Sequence, residues 1–212
     1  MLHVFDMDGT LLRGTTASLE ISRHQSCLQQ ITDLEKMFDN GLLTTKIFAQ
    51  EVHKLWSALD ETGVDHIFEN SPWIQDIEKV MSDIREKGEH SIVITMSPNF
   101  FAERLKKFGV AEVYSSTFPP LPFASPIDVS KILTPDDKVT ITQKTLARLS
   151  LKETECIAYG DSGSDIPLFK YIQNNISING TQSLISLARE TYIGNNLFEA
   201  YQLSREKYIQ RS

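Results

Sequence analysis

Four short apolar runs punctuate the chain, at residues 2–5, 92–96, 156–159 and 176–178, each bounded by glycine or polar residues. Runs this short, without strict alternation, predict strands buried on both faces, as in a parallel sheet. Between them, apolar residues recur at helical spacing. Ile74, Ile77, Val80, Met81 and Ile84 follow Ser71-Pro72, a cap with a first-turn proline, and the run stops at Gly88. After the second strand, Phe101, Leu105 and Phe108 make another apolar face, closed by Gly109. Strands alternating with helices predict an α/β domain built on a parallel sheet.

The spacing of these elements is uneven. From Asp6 to Ser97 is 91 residues, whereas one strand–helix–strand unit needs only about 30. The surplus of roughly 60 residues is read as helical, with Ile47, Phe48, Val52, Leu55 and Trp56 on one broad face. We therefore expect a core domain over 1–13 and 75–212, with a helical cap inserted over 14–74 after the first strand. Ligands bind at the carboxyl ends of strands in open α/β sheets, so such an insert sits over the site. Trp56 and Trp73 are expected to pack in the cap and its hinge. A second irregular stretch, about 113–137, holds Pro119, Pro120, Pro122, Pro126 and Pro135 and reads as a long loop or irregular hairpin.

Charge narrows the partners. The net charge is −7, from 21 Lys and Arg against 28 Asp and Glu, and no basic cluster resembles a nucleic-acid footprint. A small anionic substrate stays compatible, because a local metal ion outweighs global charge. Cys27 and Cys156 form no CxxC pair or disulfide framework, which suits a reducing compartment. No signal peptide or membrane-length apolar stretch is read, so a cytoplasmic protein is expected. The five histidines are scattered without metal-ligand spacing. Oligomeric state is left open.

The chemistry concentrates at strand ends. Asp6 and Asp8 close the first run and are followed by Gly9 and Thr10. Two acids this close repel unless they share a cation. An EF-hand loop is excluded, since its twelfth residue must be Glu and here it is Ala17. A turn with two solvated acids explains the first pair equally well. However, Gly160-Asp161-Ser162-Gly163-Ser164-Asp165 ends a second run in the same way, with Asp165 one helical turn beyond Asp161. Helix capping explains one such acid but not two strands each ending in paired acids. Ser97 ends the second run ahead of a helix, where a hydroxyl and backbone N–H groups can hold a phosphate oxygen or merely cap. Lys138 follows Asp136-Asp137 and is read as preceding a helix.

In this order the four elements resemble the haloacid dehalogenase superfamily of phosphohydrolases. Val4-Phe5-Asp6-Met7-Asp8-Gly9-Thr10 is similar to its first motif, Ser97 to the second and Lys138 to the third, with Lys144 a nearby competitor. Gly160-Asp161 and Asp165 are similar to the fourth. The insert and the 113–137 stretch resemble the phosphoserine-phosphatase-like branch. The resemblance implies a Rossmann-like core, a helical cap and a Mg²⁺-dependent phosphatase acting on a small phosphorylated metabolite. It implies Asp6 as nucleophile, forming an aspartyl-phosphate, and Asp8 as general acid and base. Ser97, Lys138, Gly9 and Thr10 would bind the phosphoryl group. Asp6, the Met7 carbonyl and Asp161 would hold the ion, with Asp8 and Asp165 counted beside them and Asp165 orienting a metal-bound water or Lys138.

Two departures bear on the substrate. Phosphoserine phosphatases carry a glutamate seven residues past the second motif-one aspartate, and Thr15 stands there in this chain. An ungapped alignment places Val52 where they carry a cap arginine. Thr15, Phe38 and Val52 are the expected cap residues facing substrate, in a pocket less polar than one for an amino acid, so phosphoserine is not the expected main substrate. A phosphotransferase or phosphomutase using the same Asp6 intermediate, or a non-catalytic regulatory binding protein, remains a competing reading.

Overall fold

The computed structural model describes residues 1–209. Its centre is a six-stranded sheet, ordered β5-β4-β1-β6-β7-β8, with every adjacent pair parallel. The strands are β1 (Leu2–Phe5), β4 (His90–Pro98), β5 (Glu112–Ser116), β6 (Cys156–Gly160), β7 (Asn175–Ile178) and β8 (Glu190–Tyr192). Two two-residue strands, β2 (Asp8–Gly9) and β3 (Leu12–Arg13), pair with each other just after β1.

Both faces of the sheet are covered, which explains the unalternated apolar runs. Leu2, Val4, Ile92, Ile94, Cys156 and Ala158 pack on one side with Leu146, Leu168 and Phe169. These come from α7 (Pro135–Leu149) and α8 (Ile166–Tyr171). Phe5, Val93, Ile157 and Tyr159 point the other way, toward α5 (Ile77–Glu86) and α10 (Leu197–Ser204). His3 shares that second face and is fully buried. Its ring bonds Tyr159 Oη at 3.0 Å and Glu89 at 2.9 Å, so its polarity is satisfied.

Four helices fill the sequence surplus: α1 (Ala17–His24), α2 (Leu28–Asp39), α3 (Thr45–Leu55) and α4 (Glu61–Asn70). Their apolar residues run continuously into the main core, because Trp56 packs against Phe100 and Phe118. Trp73 lies between Phe68, Phe101 and Phe108 at the return to the core. Val52 on α3 and Trp56 just past its end are buried, but Ile47, expected on the same face, is 43% exposed.

Several boundaries differ from expectation. Ser71-Pro72 opens no helix. Ser71 closes α4, its hydroxyl donating to the Ile67 carbonyl at 2.7 Å with extended backbone, which a following proline favours. The chain then bridges Leu12 through Trp73 and Asn196 through Gln75, and α5 begins only at Ile77. Lys138 lies inside α7, which starts at Pro135 behind a Thr134–Asp137 capping box. β5 occupies the start of the stretch read as irregular. It and β8 are short edge strands of mixed polarity, so they carry no apolar run to betray them.

Candidate active site

β1 lies where the chain order reverses, with β4 on one side and β6 on the other. Ligands collect in the crevice beyond such a switch point. Phe5 aligns with both Val93 and Tyr159, so the next residue, Asp6, emerges between two strand ends, its N–H bonded to the Tyr159 carbonyl at 2.9 Å. The same registers deliver Ser97 and Asp161 to that edge. Lys138 is added from the first turn of α7. Its ammonium lies 2.6 Å from Asp6 Oδ1, 2.6 Å from Asp165 Oδ1 and 3.5 Å from Ser164 Oγ. Lys144, the competing lysine in sequence, is exposed on the same helix.

Close approach is built in by two glycines. Gly9 has φ +77°, and a Cβ there would meet Asp161 Oδ2 at 2.1 Å. A Cβ on Gly160 would meet the Asp165 carboxyl carbon at 2.4 Å. Asp165 is fully buried, and its Oδ2 accepts from the N–H groups of Asp161 at 3.0 Å and Ser162 at 3.2 Å. With Oδ1 on Lys138, both Asp165 oxygens are occupied, so this residue shapes the loop and orients the lysine.

Asp6, Asp161 and Asp165 each offer an oxygen within 4.8 Å of the others. Burial pushes the Asp6 carboxyl up, with Lys138 opposing and the neighbouring carboxylates adding to the rise. Burial and then Asp165 raise Asp161 to about 7. Although burial works against its charge, Asp165 and Asp6 hold the Lys138 ammonium above the ordinary lysine value. Three carboxyl groups gathered around one ammonium make a largely buried, oxygen-rich pocket. That donor set suits a hard divalent cation such as Mg²⁺.

Asp8 is set apart from that group. Its Oδ1 accepts from Ala17 N–H at 2.6 Å, and its Oδ2 accepts from Ser97 Oγ at 2.7 Å and Thr95 Oγ1 at 3.1 Å. Burial raises its pKa, and these three bonds pull the other way. The side chain expected among the metal ligands is therefore engaged by neutral donors. The Met7 carbonyl is likewise occupied, accepting from Leu11 N–H at 2.9 Å and Leu12 N–H at 2.8 Å. Both bonds form because the chain turns sharply back after β1. Gly9 N–H donates to the Thr15 carbonyl at 3.1 Å, and Thr10 Oγ1 lies 3.4 Å from Asp161 Oδ1, so these donors serve the loop itself.

The three expected cap residues have different surroundings. Val52 is 1% exposed within the apolar core of the inserted helices, and Phe38 packs against Phe48 with ring centroids 6.0 Å apart. Thr15 is buried, and its carbonyl is bonded by the N–H of Gly9, the residue after Asp8. Its hydroxyl donates to Glu20 at 2.6 Å, and Glu20 is paired with Arg23. The surroundings of Thr15 are thus more polar than its identity suggested. Thr95 and Ala17 N–H were not singled out from sequence. Thr95 had a usable signal, being a hydroxyl inside an otherwise apolar strand two residues before Ser97.

A family of haloacid dehalogenase-like hydrolases has a sequence profile that matches residues 3–170. A substrate-bound phosphoserine phosphatase superposes with TM-score 0.81 at 17% identity, over 95% of this chain and 97% of that one. A hydrolase of the same family from Salmonella enterica serovar Typhi gives TM-score 0.81 at 18% identity, over 90% of this chain and 66% of that one. A gene product from Archaeoglobus fulgidus gives 0.75 at 17% identity, over 100% and 83%. At these identities the likeness is one of fold. No curated protein matches the sequence.

Proposed function

This chain belongs to the haloacid dehalogenase-like hydrolases, and from that premise we propose that it is a phosphatase of small phosphomonoesters, with Asp6 as nucleophile and Asp8 as general acid and base. The observation that carries this reading is the split between two acids only two residues apart. Asp6 faces the Lys138 ammonium at 2.6 Å, while Asp8 is held by three neutral donors and no cation. One acid set against a cation and the other against neutral donors suit a nucleophile and a proton carrier.

The steps follow from those roles. An Asp6 oxygen attacks phosphorus, the ester P–O bond breaks, and the leaving oxygen takes the proton from Asp8. Asp8, now a carboxylate, accepts a proton from water as that water attacks the aspartyl-phosphate. Breaking of the P–O bond to Asp6 restores its carboxylate and releases phosphate. Lys138 and the Ser97 hydroxyl stabilise the phosphoryl oxygens, and charge stabilisation of this kind dominates phosphoryl transfer. Asp6 and Asp161 are the residues that would hold Mg²⁺, which when bound neutralises charge so that an anionic ester can meet an anionic nucleophile. The inserted helices act as a cap that excludes bulk water. Glu20 is already neutralised by Arg23 beside Thr15, so an ammonium-bearing substrate such as phosphoserine gains little there.

Phosphate release from a panel of phosphomonoesters with Mg²⁺, comparing wild type and Asp6→Asn, tests this reading. Release by wild type, abolished by the substitution and by chelator, is expected. Isomerised product without free phosphate would point to a phosphomutase, and no turnover by folded, Mg²⁺-bound protein would point to a binding role.

A further inference from the structure

Ser97 stands in two places at once in the reading above. Its hydroxyl has one hydrogen. That hydrogen is directed at Asp8 Oδ2, 2.7 Å away, yet the reaction asks it to hold a phosphoryl oxygen. When Ser97 turns to the substrate, Asp8 Oδ2 keeps one side-chain donor, Thr95.

Thr95 is placed to do this alone. It is 1% exposed in β4, and its hydroxyl meets the same Asp8 oxygen as that of Ser97, across an irregularity in the strand between Ile94 and Pro98. Valine has the same shape and suits a buried parallel strand, whereas a buried hydroxyl is unfavourable unless bonded. The direction of its bonds is settled by its partners. Ser97 N–H can only donate, so Thr95 Oγ1 accepts from it, at 3.1 Å. The single Thr95 hydrogen then goes to Asp8 Oδ2, at 3.1 Å. One hydroxyl therefore ties the backbone of Ser97 to the carboxyl of Asp8.

We propose that Thr95 is a positioning residue for the general acid, holding the Asp8 carboxyl in place while Ser97 is occupied by the substrate phosphate. The inference rests on the phosphatase reading. It makes a prediction that depends on the leaving group. An alkoxide needs a proton to depart, whereas p-nitrophenolate departs without one. The ratio kcat/KM reports formation of the aspartyl-phosphate, the step in which that proton moves.

The test measures kcat/KM for p-nitrophenyl phosphate and for the best alkyl phosphomonoester of the panel, in wild type, Thr95→Val and Thr95→Ser. Thr95→Val is expected to lower the alkyl value about 10- to 100-fold, a fraction of what general acid catalysis contributes, with the aryl value within about threefold of wild type. Thr95→Ser, which keeps the hydroxyl, restores the alkyl value. Thr95→Ala removes the hydroxyl without adding bulk and must show the same split, which covers a Thr95→Val protein that fails to fold. Equal losses on both esters, or no loss, overturn the positioning role while leaving the phosphatase intact. Absence of turnover by wild type on both esters overturns the phosphatase reading and this inference with it.

Discussion

Lys138 Nζ lies 2.6 Å from Asp6 Oδ1 across 132 positions of sequence, and the two residues are 1% and 5% exposed. The same ammonium lies 2.6 Å from Asp165. It is the cation on which two of the three clustered carboxylates lean.

Lys138→Met should therefore be costly in two ways. Removing one partner from a buried ion pair destabilises by about 3–5 kcal/mol, because charge is left uncompensated. Turnover should fall about 10²- to 10³-fold, the usual effect of losing one donor to the transition-state charge. Urea denaturation with and without Mg²⁺ checks the first, with added Mg²⁺ expected to recover part of the loss. A destabilisation under about 1 kcal/mol would mean that the fold does not depend on this ammonium.

Gly9 makes the proposed cation site sensitive to a single methyl. Its φ of +77° and the 2.1 Å approach to Asp161 Oδ2 leave no room for a Cβ. In wild type, Mg²⁺ at 100 times its Kd should stabilise the fold by about 2.7 kcal/mol. Gly9→Ala and Asp161→Asn should each remove most of that stabilisation in differential scanning calorimetry. Full retention in both variants would place the ion elsewhere.

The stability of the fold should also depend on acid. Burial lowers the pKa of His3, so the native state resists a proton that the unfolded chain accepts near 6.5. Burial would raise Glu89, but its bonds to His3 and Arg205 hold it at about 2, below the unfolded 4.5. In both cases the unfolded state binds more protons, so stability falls as pH drops. The His3 part begins near pH 6.5, and the Glu89 part follows between about 4.5 and 2. Thermal melts of wild type and His3→Gln from pH 8 to 4 should show the variant less stable at neutral pH but flatter through pH 6. Parallel curves would exclude His3 as the source.

Much of this protein is legible in sequence because its information is local. The buried strands betray themselves by short apolar runs, since a strand covered on both faces tolerates little else. Asp6, Asp8, Asp161 and Asp165 stand out because a strand end followed by glycine and paired acids is hard to explain by capping. The 91-residue gap between Asp6 and Ser97 reveals an insertion by arithmetic alone. What tertiary structure decided is the traffic between distant hydrogen-bonding groups. Lys138 rather than Lys144 reaches Asp6 because only the first turn of α7 abuts the site. The Met7 carbonyl is taken by Leu11 and Leu12, and Asp8 by Ala17, Thr95 and Ser97, through a turn whose path no periodicity encodes. Thr15 gained charged neighbours, and Val52 was drawn into the core, because helix packing and not position along the chain chooses a side chain's surroundings. A hydrogen has one direction, and that direction is set by partners folded in from elsewhere.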